Sequence, residues 1–129
     1  MQIMVTEVSE DSPPIVVFET PFGSGAGCWA AEPPTSGRSY YVEFQIEDEL
    51  EWGAQVRPMS GDGVPLSTTG DDVRFRAGCE AVEGGLVTLS VGDSLVMVEV
   101  VDAPEGLMAG TAVEVVVDRR AIQLCPYEL

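Results

Sequence analysis

Apolar and polar residues alternate with a period of two along most of the chain, most densely between Gly84 and Cys125. In Leu86–Val91, Val87, Leu89 and Val91 share one face, while Leu86, Thr88 and Ser90 share the other. This is the mark of a strand with one side buried. Gly92-Asp93-Ser94 has turn composition. Leu95–Val101 then sends Val96, Val98 and Val100 inward. Leu95, Met97 and Val101 on its second face predict a strand covered on both sides. Asp102–Gly106 breaks the pattern, and a helix between Pro104 and Gly110 has room for one turn at most. Ala112–Val117 alternates again through Val113, Val115 and Val117. Asp118-Arg119-Arg120 forms a polar corner, and Ala121–Cys125 ends the set with Ile122 and Leu124 inward. β-branched residues at this density favour a pleated surface over a helix.

Upstream the signal is patchier. Gln2–Val8 and Ile15–Glu19 predict an N-terminal strand pair (residues 1–20), with Pro13 and Pro14 in the loop between them. Pro21–Gly37, rich in Gly, Pro and Ser, predicts a long surface loop (residues 21–38) in which Trp29 anchors the chain to the core. Gly23-Ser24-Gly25-Ala26-Gly27 is not a phosphate loop, which requires a Lys the chain lacks. Ser39–Ile46 is a clear strand, with Tyr40, Val42, Phe44 and Ile46 on one face and Tyr41, Glu43, Gln45 and Glu47 on the other. Gln55–Pro58 is a short strand, Met59–Asp72 a loop, and Val73–Val82 a strand with Val73 and Phe75 inward. Arg74 and Arg76 point outward, placed to pair with acids near Glu43, Glu80 or Glu83. The pattern predicts an all-β domain spanning residues 1–129, with about eight short strands. Its architecture is an OB-like barrel or a two-sheet sandwich, with the barrel core at residues 39–125.

Charge changes the picture more than length does. The chain carries 22 acidic and 6 basic residues for a net −16, and it has no His. All six bases are Arg; with abundant Ala, Gly, Val and Pro this points to a GC-rich bacterial genome, with a halophile as the second reading. An anionic surface with no basic stripe argues against nucleic acid and against membrane surfaces as partners. The N-terminal segment lacks a basic, apolar leader pattern, and no apolar run approaches the ~18 residues of a span, so a cytoplasmic protein is expected.

The chemistry on offer is sparse. Without His or Lys, Ser-His-Asp, Cys-His and Ser-Lys arrangements cannot be built. Cys28, Cys79 and Cys125 have no metal-ligand spacing and read as buried, reduced thiols, so neither cofactor nor metal is expected. The densest charge is Glu47-Asp48-Glu49-Leu50-Glu51-Trp52. Such runs are often only solvated corners. Its functional reading is an acidic rim (Glu47, Asp48, Glu49, Glu51) beside an aromatic anchor (Trp52) that meets a basic protein. The expected function is a non-enzymatic binding or accessory protein, of an immunity type or a complex subunit. The alternatives are a small-molecule- or metal-binding barrel, including a carboxylate enzyme, and a nucleic-acid mimic.

Overall fold

A computed structural model describes residues 1–128. The protein is all-β, with twelve strands: β1 (Gln2–Val8), β2 (Ile15–Thr20), β3 (Gly23–Trp29), β4 (Ser39–Ile46), β5 (Glu49–Glu51), β6 (Val56–Pro58), β7 (Leu66–Thr69), β8 (Asp72–Glu83), β9 (Leu86–Val91), β10 (Ser94–Val101), β11 (Ala112–Asp118) and β12 (Ile122–Tyr127). A single 3-10 turn, Arg119–Ala121, joins β11 to β12. No helix forms between Pro104 and Gly110, where the turn bond from Leu107 N–H to the Pro104 carbonyl replaces it. Among the described residues no helix is long and apolar enough to cross a membrane.

Five strands close a small OB-like barrel in the order β1-β2-β3-β12-β4 and back to β1. All neighbours are antiparallel except β3 and β12. The N-terminal strand pair therefore belongs to this barrel, and the segment predicted as a loop at 21–38 contains β3, one of its staves. The glycines of β3 are spacers. A Cβ at Gly25 would lie 2.5 Å from Phe18 Cζ and 3.1 Å from Leu66 Cδ2, and one at Gly27 would lie 3.0 Å from Leu124 Cγ. Glycine in a strand marks such close approach. β7, also within a predicted loop, pairs with β8 and touches β3 through Leu66 and Gly23.

The remaining strands repeat the same circuit. β8, β9 and β10 pair in succession, β10 runs parallel to β5, and β11 pairs with both β8 and β6. β5 and β6 are successive pieces of one stave, interrupted by the turn at Trp52–Gln55 and joined by a Trp52–Val56 bridge. Register confirms the correspondence. A bulge follows Val5↔Phe18 in the β1–β2 pair, and a bulge follows Cys79↔Leu89 in the β8–β9 pair. The parallel partners Cys28↔Gln123 and Trp29↔Leu124 match Glu99↔Glu49 and Val100↔Leu50. Two-residue turns link β2 to β3 and β9 to β10. The chain is thus a duplicated unit in which each half, 1–58 and 72–127, gives its last stave to the other half's circuit. That is a strand exchange of the kind otherwise seen between protomers.

The two circuits share one apolar core. Phe18 stacks on Phe44 with centroids 5.9 Å apart, and Phe44 meets Phe75 edge-on at 6.1 Å. The alternation predicted inside β4, β8, β9, β10, β11 and β12 is the alternation observed, and Trp29 is fully buried. Arg74 and Arg76 pair with Glu114, opposite on β11, rather than with Glu43, Glu80 or Glu83. The reason is β8's neighbours: along Arg74 and Arg76 they are β7 and β11.

Candidate functional site

The duplication allows the two halves to be compared position by position. In the first circuit the outward face of β3 carries Ser24, Ala26 and Cys28. It is covered: Ala26 and Cys28 are only 4 % and 7 % exposed. Part of the cover is the turn Arg119-Arg120-Ala121, whose Arg120 carbonyl accepts from Cys28 Sγ at 3.6 Å. Asp118 holds that turn by accepting from the Arg120 backbone N–H at 2.8 Å, and its carboxylate pairs with the Arg120 guanidinium at 3.1 Å. Arg120 keeps the Asp118 carboxyl below the usual carboxylate range, first through this side-chain bond and then through the backbone one. Arg119 pairs with Asp71 at 3.2 Å.

In the second circuit the matching strand is β10, and its outward face is bare. Leu95 stands where Ser24 stands in the first half, Met97 where Ala26 stands and Glu99 where Cys28 stands. Leu95 is 63 % exposed and Met97 54 %. The double coverage expected for this strand is not found. The link that would cover it, between β4 and β5, is only Glu47-Asp48, one residue shorter than the 3-10 turn. Glu99 lies opposite Glu49 in the parallel pair, so the link enters β5 among like charges. Short length and mutual repulsion both keep it off the strand face.

The result is a groove of about 340 Å³ lined by Glu43, Phe44, Gln45, Ile46 and Glu47 on the β4 side and by Leu95 and Met97 of β10. Glu43, Glu47, Asp48, Glu49, Glu51 and Glu99 are all exposed. Among the described residues none of them has an Arg within 4.0 Å.

The sequence-predicted corner is therefore only partly one site. Glu47 lines the groove, and Glu49, through its pairing with Glu99, extends the acidic rim. Glu51 lies two residues further along the same stave and face, beside Val101. Trp52 does not serve as the exposed anchor. It is half-buried at the β5–β6 turn, packs on the core, and donates its backbone N–H to the Val101 carbonyl. The exposed apolar residues beside these acids are Leu95 and Met97, and Glu43 and Glu99 lie on the same surface. The outward apolar residues of β10 were the available signal, and their exposure depends on what fails to cover them, which no local pattern shows.

Cys28 and Cys79 are buried and Cys125 half-buried, all free. Burial pushes each thiol up, and Glu43 and Glu47 add to the effect at Cys125. Among the described residues no three His, Cys, Asp or Glu side chains gather as metal ligands would. Comparison with known protein families, curated proteins and solved structures finds no match to this chain.

Proposed function

We propose that this protein is a non-enzymatic binding protein, an accessory or immunity-type subunit, whose β10 groove receives a basic segment of a partner protein. The observation that carries the reading is the bare pair Leu95 and Met97 inside a rim formed by Glu43, Glu47, Glu49 and Glu99. Apolar side chains more than half exposed on the middle of a strand are a place where contact is favourable. Completing the burial of each contributes about 1–1.5 kcal/mol, half or more of a fully transferred side chain. The carboxylates select the partner: they attract a cationic segment and repel an anionic one, giving charge complementarity across the contact. The net charge of −16 adds long-range steering of the same sign.

Photo-crosslinking in the cells that make the protein tests this. A benzophenone amino acid replaces Met97 in one strain and the exposed Asp93 in a control strain. The expected result is an adduct at position 97 to a protein with a basic surface, weakened when Glu43, Glu47 and Glu99 are changed together to Gln. An adduct equally strong at position 93, an acidic partner, or indifference to the triple change would refute the reading.

A further inference from the structure

The first circuit shows what covers this strand face when it is covered: a single 3-10 turn reading Arg-Arg-Ala, capped by the preceding Asp118. We infer that the partner segment entering the β10 groove is a turn of the same kind, two adjacent basic residues followed by a small apolar one, lying over β10 where Arg119–Ala121 lies over β3. The inference rests on the proposed binding role of the groove and names what the groove takes.

Three observations converge on it. The faces correspond residue by residue, Leu95 and Met97 to Ser24 and Ala26, so a cover of similar shape lies at a similar place. Leu95 and Met97 are larger than Ser24 and Ala26 and leave less room above the strand, which favours an occupant that presents a small side chain there rather than a bulky one. In the covered site Arg120 is held by Asp118 of the turn itself and Arg119 by Asp71. In the groove, Glu43 on β4, Glu47 just after it, and Glu49 and Glu99 at the β5–β10 pair have no basic partners among the described residues. Glu99 stands where the Cys28 thiol donates to the turn's carbonyl, so on this face the acids meet the basic side chains of the occupant rather than its backbone. The link Glu47-Asp48 itself cannot act as the cover, because it carries the same sign as the rim.

The test uses the intact protein and a synthetic peptide with this chain's residues 118–124, in which Asp118 is retained to hold the turn. Titration is followed by two-dimensional NMR of the labelled protein. The expected result is that amides of residues 43–47 and 95–99 shift, that affinity falls at least tenfold when both peptide arginines become Glu, and that it falls again between about 50 and about 500 mM NaCl as the charges are screened. A Leu95→Ser/Met97→Ser protein, whose substitutions lie on the exposed face, should lose the same shifts.

A linear peptide of alternating Lys and Leu serves as the second arm. If it shifts the groove amides and the 118–124 peptide does not, the turn inference is wrong and the binding role stands. If neither moves them, or if both move residues elsewhere, both fail.

Discussion

Gly25→Ala would separate a packed strand from a surface loop by the sign of its effect. The new Cβ would sit 2.5 Å from Phe18 Cζ, 2.9 Å from Phe18 Cε2 and 3.1 Å from Leu66 Cδ2. Ordinary carbon contacts lie near 3.5–4.0 Å, so the overlap approaches an ångström. Phe18 and Leu66 are essentially inaccessible, and the Phe18 ring already stacks on Phe44, so neither side chain has free space to turn into. Overpacking of this kind costs about 1–3 kcal/mol. Loss of glycine freedom in the unfolded chain returns about 0.4–1 kcal/mol. The net expectation is a loss of roughly 1–2 kcal/mol, read from urea unfolding with an unchanged slope. A flexible loop would give the opposite sign, since only the unfolded-state term would remain. The cause is checked by a double-mutant cycle with Phe18→Leu: relief of the clash should leave the pair more stable than the sum of the single changes by about 1 kcal/mol. A Gly25→Ala protein as stable as the parent, or strict additivity, would refute the packing argument.

Arg76 holds the 59–65 loop by donating to the carbonyls of Ser60 and Gly61 while pairing with Glu114 at 3.0 Å. Arg76→Ala should cost about 1.5–3 kcal/mol and speed hydrogen exchange in that loop, whereas exposed Arg74→Ala should cost under about 1 kcal/mol; equal effects would show that burial is not what matters. The buried thiols of Cys28 and Cys79 titrate above their ordinary value when folded. The folded chain therefore holds these protons more tightly, and stability should fall as pH rises from the ordinary thiol range through the raised folded values. Alkylation by iodoacetamide near neutral pH should leave both untouched until the chain unfolds, and rapid labelling of Cys79 in the folded protein would contradict its burial. Because each circuit contains a stave from the other half, a single cleavage between Ser60 and Gly63 should leave a complex of the two pieces with unchanged circular dichroism, separable only in denaturant. Fragments that part on native gel filtration would overturn the exchanged-strand topology.

The sequence by itself determined what depends on near neighbours. Period-two alternation fixes which side chains of a strand share a face, so the inward residues of β4, β8, β9, β10, β11 and β12 and the all-β class were legible. So were the carboxylates of 47–51 as exposed charge. Tertiary structure decided everything that depends on which strands meet. The Gly-rich segment resembles a loop until Phe18 is found packed over Gly25, because a missing side chain signals flexibility locally and close approach only in context. The exchange of β5–β6 and β12 between halves leaves no local trace, since a strand's alternation is the same whichever circuit it closes. Leu95 and Met97 look like core residues in the sequence. They stay exposed because the link that would cover them is one residue short and negatively charged, and that requires knowing what passes over β10 in space.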